Sequence, residues 1–202
     1  MHCGSGPRAE RAEERRRHLL DTARTLFAEH GFHQTGIARI AEASGIKVGQ
    51  IYRDFDSKEA IIAAIVEADI IGWLEEDVLA AAVLAHDLPA IRRWIARFGD
   101  CDETLDECRM MTQVVAESAR NERIAAIHRA VDERCRASLT AALSALAPGC
   151  CRAEDSALLV EFILIVGFGA AMRRAIHPEM PTHAFGRLLR SMVDWKLDLL
   201  TS

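Results

Sequence analysis

Apolar positions recur along this chain at three- and four-residue spacing, the period that lays one side of an α-helix against a core. Leu19, Leu20, Ala23, Leu26 and Phe27 mark an amphipathic helix over Glu13 to His30, with Gly31 behind it as a stop. Thr35 is placed to accept an N–H at the start of a second helix, which runs through Ile37, Ile40 and Ala41 and ends near Gly45. A third, short helix begins near Lys47 and carries Val48, Ile51, Tyr52 and Phe55. After it, Asp56 with Glu59 three residues on reads as a capping box, with Ser57 as the alternative cap. A long helix then runs through Ile61, Ile62, Ile65 and Ile70 to around Leu79.

The second half repeats the pattern without repeating the sequence. Helical stripes run from Leu88 to Phe98, from Leu105 to Ala119, and from Ile124 to Leu146, where Pro148 and Gly149 stop the third. Two more helices follow, from about Arg152 to Ile176 before Pro178 and from about Thr182 to Leu200. Strand-rich folds need more β-branched and aromatic residues than a chain rich in Ala, Leu, Ile, Arg and Glu provides, so the expected class is all-α. The expected organisation is a mobile arm over 1–12, a three-helix unit over 13–57, and a larger helical part over 58–202.

Charge sharpens this division. The whole chain carries −5, yet residues 1–58 hold 10 Lys/Arg against 8 Asp/Glu, so a phosphate-facing surface belongs to the N-terminal part. The start is charged from Arg8 to Arg17 with no apolar signal segment, which makes the cytoplasm the expected address and reduced thiols the expected state of the six cysteines. The most apolar stretch, Phe162 to Met172, is about half of what a bilayer span needs, so it reads as a buried helix and no membrane partner is expected.

The sharpest local signal is the placement of Ala41, Gly45 and Ile51. Two helices crossing steeply need a turn residue that tolerates positive φ, a small residue beneath the second helix, and a miniature core, here Ile40, Ile46 and Ile51. The second helix of such a helix-turn-helix enters the major groove with its N-terminal residues toward base edges, which are Lys47, Val48, Gly49 and Gln50. Lys47 can donate to guanine or to phosphate, Gln50 can pair with adenine, Val48 can meet a thymine methyl, and Gly49 admits close backbone approach. Tyr52, Arg53 and Lys58 are placed to hold phosphates.

The run from Leu19 to Ile65, with Phe27, Gly31, Phe32, Thr35, Ala41, Gly45, Gly49, Tyr52, Phe55, Ser57, Lys58 and Glu59, resembles the N-terminal domain of TetR-family regulators. The resemblance implies that Thr35, Lys47, Val48, Gln50, Tyr52 and Lys58 face DNA, with Thr35 and Tyr52 on phosphates. It further implies a repressor that binds palindromic operator DNA as a homodimer and is released by a small-molecule effector. Lys47 and Gln50 stand where small hydroxyl residues are common, and Asp54 stands where His, Tyr or Asn is usual. Asp54 either pairs with Arg53 or Arg39 or marks altered specificity.

Beyond residue 65 the resemblance is to architecture alone. It implies an effector cavity among the middle helices and dimerisation through the last two. Candidate cavity residues are Trp94, Phe98, Met110, Met111, Val114, Phe162, Ile165, Phe168 and Met172, with Arg97, Gln113, Glu117 and His128 as polar anchors for an apolar or aromatic effector. Phe185, Leu188, Leu189, Met192, Trp195, Leu199 and Leu200 form the expected dimer seam, and Gly167 and Gly169 would allow close helix approach near it. Cys101 and Cys108 could share a helical side and Cys150 adjoins Cys151, but no tight Cys-x-x-Cys or His-rich cluster appears, so neither metal nor cofactor is expected. No nucleophile elbow, phosphate loop or well-spaced carboxylate pair points to an enzyme. The rival readings are a DNA-binding regulator controlled by a protein partner and, further off, a helical enzyme.

Overall fold

The computed structural model describes residues 7–101, 103–148 and 153–201, and among them every regular element is a helix. The order is α1 (Pro7–His30), α2 (Ile37–Ser44), α3 (Val48–Asp54), α4 (Lys58–Leu74), α5 (Glu76–Leu84), α6 (Leu88–Asp100), α7 (Leu105–Ser118), α8 (Glu122–Leu146), α9 (Ala153–Ile176) and α10 (Thr182–Thr201). The all-α expectation holds. Two boundaries differ from it. Helix α1 begins at Pro7, since proline suits the first helical position, so the expected arm over 1–12 is helical in its second half; residues 1–6 lie outside the described residues. The long helix after Ser57 ends at Leu74, because Glu75 takes up a left-handed conformation (φ 45°, ψ 50°) and α5 starts afresh at Glu76.

Capping explains several starts. Ser57, not Asp56, caps α4, its hydroxyl accepting from Ala60 N at 3.2 Å. Thr104 and Glu107 form a reciprocal capping box at α7, and Asn121 accepts from Arg123 N and Ile124 N at α8. Each such cap contributes roughly 1 kcal/mol.

Two large cores and a small one around Cys101, Cys108, Ala170 and Ala171 hold the described residues together. The first joins Leu19, Leu20, Ala23 and Phe27 of α1 with Ile40, Ile46, Ile51, Phe55 and the start of α4. It is closed by Met110 and Val114 of α7 and Ile124 of α8, so the larger part of the chain seals the smaller one. The second gathers Leu74, Leu79, Ile91, Trp94, Ile95, Phe98, Leu139, Leu143, Val160, Ile163, Leu189, Val193 and Leu197 from α4 to α10.

Helices α6 and α10 approach each other closely, and a Cβ added at Gly99 would stand 2.9 Å from Gly186 Cα. Within the subunit, Gly167 lets α9 pack on Phe98, with 3.0 Å from its ideal Cβ to Phe98 O, and Gly169 faces open space. Helix α9 is longer in its apolar character than Phe162–Met172 suggests. Glu154–Ile176 is long and apolar enough to cross a membrane by length and composition alone, and only 28% of that window is buried in the subunit.

Candidate nucleic-acid interface

The helix-turn-helix geometry follows from two glycines and three isoleucines. Gly31 (φ 78°) ends α1 and Gly45 (φ 69°) turns α2 into α3, both in the left-handed region that a side chain disfavours. Ile40 and Ile51 are fully buried and Ile46 nearly so, which fixes the angle between the two short helices. Burying one such side chain stabilises the unit by roughly 1.5–3 kcal/mol. Ser44 finishes the turn by donating to Ile40 O at 2.7 Å and accepting from Ile46 N at 3.3 Å.

With that interior sealed, α3 turns its polar side outward. Lys47 is exposed at its N-cap, Val48 is 41% exposed, Gly49 and Arg53 are exposed, Gln50 is half-buried and Tyr52 is 52% exposed. An exposed valine and tyrosine beside a lysine and a glutamine suit a surface that meets thymine methyls, base edges and phosphates. Neither α2, capped by Gly36, nor α3, capped by Lys47, has a side chain occupying its first amides.

Two residues expected to face DNA are engaged elsewhere. Thr35 is fully buried and its hydroxyl donates to Leu26 O at 3.1 Å, so it ties the α1–α2 turn to α1 and neither caps α2 nor meets phosphate. Lys58 folds inward, donating to Phe32 O at 2.6 Å with its ammonium 3.9 Å from the Phe32 ring centroid; burial pulls its pKa below the ordinary lysine range. Both residues position the reading unit. Asp54 takes neither expected partner: it pairs with Arg15 of α1 at 3.6 Å, while Arg39 bonds His30 at 2.8 Å.

The expected effector residues scatter. Trp94 and Phe98 lie in the second core, and the Trp94 indole donates to Leu74 O at 2.6 Å. Arg97 pairs with Glu75 at 2.5 Å and stacks over Trp73, so α6 clasps the break between α4 and α5. Met110 and Val114 belong to the reading unit's core, Gln113 sits against Gly31, and buried Glu117 pairs with His33 at 2.8 Å. Met111 packs with the Cys101–Cys108 pair, and Phe162 against the second core. His128 of α8 meets the Phe168 ring edge-on at 6.0 Å. Ile165 is 62% exposed and Phe168 37%, so both lie on the outer side of α9 and not in an interior cavity. Two open surface grooves lie elsewhere, one along α1 from Ala9 to Arg17 and one of about 370 Å³ at the α1–α2 turn beside Gln113, and neither is lined by α6, α8 or α9.

The expected dimer seam divides in two. Leu188, Met192, Trp195 and Leu199 are exposed, whereas Leu189 is buried against α6 and Phe185 packs against Ala170, Ala171 and the two cysteines. The Leu200 side chain lies outside the described residues, as do Cys3, Cys150 and Cys151. Leu158, Ile165, Phe168 and Ile176 of α9 are exposed apolar residues that sequence reasoning left out of the seam, because a helix apolar almost all round does not reveal which side lacks a partner.

The sequence comparisons agree with this architecture. Residues 19–65 match the family described as bacterial regulatory proteins, tetR family, and residues 92–197 match the BetI-type transcriptional repressor, C-terminal family. The chain is 45% identical over 62 residues to the HTH-type transcriptional repressor KstR2 of Rhodococcus jostii, and 40% over 58 residues to the HTH-type transcriptional regulator UidR of Escherichia coli. These stretches cover 31% and 29% of this chain and 28% and 30% of those relatives. The solved structure of Salmonella enterica GusR superposes with a TM-score of 0.69 at 25% identity, covering 96% of this chain and 98% of that one. The C-terminal match alone takes in more than half the sequence, and with the N-terminal match it establishes that this chain belongs to the TetR family of transcriptional regulators.

Proposed function

We propose that this protein is a cytoplasmic homodimeric repressor that occupies a palindromic operator through α3 and leaves it when a small apolar or aromatic effector binds its C-terminal part. The observation that carries the reading is the exposed edge of Lys47, Val48, Gly49, Gln50 and Tyr52 on a unit whose inside is closed by Ile40, Ile46 and Ile51. Inserted into a major groove, Lys47, Val48 and Gln50 read bases while Tyr52 and Arg53 hold the backbone. The exposed apolar residues Leu158, Ile165 and Phe168 of α9 and Leu188, Met192 and Trp195 of α10 support pairing with a second copy, which presents two reading helices to two half-sites.

Helix α7 offers the route from effector to operator. Its Met111 reaches the α9 side, its Met110 and Val114 enter the reading unit's core, and its Glu117 holds His33 beside the α1–α2 turn. A ligand that favours another setting of α7 against α8 and α9 therefore favours another spacing of the two heads. A mobility-shift titration on the chain's own promoter at several salt concentrations tests the DNA reading. The expected result is affinity that falls steeply with salt through counterion release. Protein that ignores duplex even at low salt contradicts it.

A further inference from the structure

Cys101 and Cys108 come together by a route other than a shared helical face. Cys101 closes α6 in a left-handed conformation (φ 49°), and Cys108 lies in the first turns of α7, so the connection between them folds back and sets the sulfurs 3.8 Å apart. Both residues are almost completely buried. Glu103, within that connection, brings a carboxylate oxygen within 4.8 Å of both sulfurs. Its Oε2 is buried without a hydrogen-bond partner. Arg174 of α9 donates to the backbone oxygens of Cys101 and Glu103, placing a fixed positive charge beside the group.

A purely apolar role for the cysteines leaves unexplained why a Glu103 carboxylate is gathered against two buried sulfurs. A disulfide fits less well, because the sulfurs would have to close from 3.8 Å to about 2.05 Å. A tetrahedral cation accounts for both facts. With metal–sulfur bonds of about 2.3 Å, the edge of the tetrahedron between two sulfurs is about 3.8 Å, the separation observed here. Two thiolates and one carboxylate around a dication leave a single negative charge, which Arg174 offsets. Sulfur donors select zinc and its thiophilic relatives over magnesium and calcium.

The geometry points to Cys101, Glu103 and Cys108 as a binding site for a zinc-like thiophilic cation, with the fourth position left to water or a further ligand. Binding deprotonates both thiols, so the two sulfur–metal bonds form as two protons leave to solvent. The ion would join the end of α6 to the start of α7, and Arg174 would pass its position to α9. Because α7 ends at the Glu117–His33 pair, the site is placed to adjust the reading unit; this regulatory part rests on the DNA-binding reading above.

The test uses full-length reduced protein, titrated with cobalt(II) as a spectroscopic stand-in and with zinc(II) against a chromophoric chelator. The expected result is one ion per chain, a thiolate-to-cobalt charge-transfer band, and release of about two protons per ion near neutral pH. A Cys3→Ser/Cys150→Ser/Cys151→Ser variant should keep the band. Cys101→Ser/Cys108→Ser should abolish it, with circular dichroism checking its fold, and Glu103→Gln, which leaves both thiols, should weaken zinc binding roughly tenfold or more. Absence of the band, or its persistence in the Cys101→Ser/Cys108→Ser protein, overturns the site. Zinc should shift duplex affinity by roughly fivefold or more in the wild type and not in Glu103→Gln. Tight zinc binding with unchanged duplex affinity overturns the regulatory part, whereas protein that binds zinc and never binds duplex contradicts the DNA reading itself.

Discussion

The reading unit and the helices behind it turn their chain in different ways. Among the described residues, the left-handed turns of the first 57 positions fall on Gly31 and Gly45, whereas beyond them they fall on Glu75, His86 and Cys101. A glycine adopts that conformation without penalty, so each of the first two turns stands as a mark in the sequence. A non-glycine there has to be held by its surroundings, and Glu75 is held by Arg97 while Leu74 just before it accepts from Trp94. The first region thus has its geometry set by local residue type and leaves its surface free for a partner. The second has its geometry set by tertiary packing, which consumes side chains that would otherwise be available to a ligand.

Substitutions can break this contrast, and the largest effect belongs to the miniature core. Ile51→Ala should lower the unfolding free energy by about 2–5 kcal/mol and with it the duplex affinity, whereas its neighbour Tyr52→Ala should leave stability within about 0.5 kcal/mol and lose duplex affinity alone; urea melts beside binding titrations separate the two. In the second region, Gly99→Ala should cost about 1–3 kcal/mol, because the new Cβ falls 2.9 Å from Gly186 Cα, while Gly169→Ala, in open space, should be neutral or stabilising. Ser57→Ala should cost about 1 kcal/mol and Asp56→Ala almost nothing, which thermal melts can resolve.

The subtlest effect is on pH dependence. Burial raises the Asp69 pKa from 3.8 to about 6 against the opposing pull of Arg24. The folded form therefore holds the proton more tightly than the unfolded chain. Its contribution favours folding fully below about pH 4 and is lost as pH rises through about 6. Asp69→Asn should flatten the stability profile across that window, and an unchanged slope in urea melts at stepped pH would contradict the assignment.

The same contrast explains what could be read in advance. The helices of the reading unit, its isoleucine core and the exposed edge from Lys47 to Tyr52 were legible because periodicity and turn chemistry are local. Thr35 and Lys58 were not, since nothing in their spacing shows that Leu26 O and Phe32 capture them. The break at Glu75 was hidden because apolar residues continue from α4 into α5 and no glycine or proline separates them. The exposure of Ile165 and Phe168 was hidden for a related reason: an apolar residue on α9 has the same sequence signature whether it faces the interior or the outside of the subunit. Cys101 and Cys108 meet through a non-helical connection, which no helical spacing describes.

Selection of binding sites from a random pool of duplex DNA, with wild type and Gln50→Ala side by side, tests most directly whether α3 is the element that reads sequence. The account predicts an enriched inverted repeat for the wild type, and a changed preference at the same symmetric positions in both half-sites for the variant. A site without twofold symmetry, or an identical site for both proteins, would contradict it.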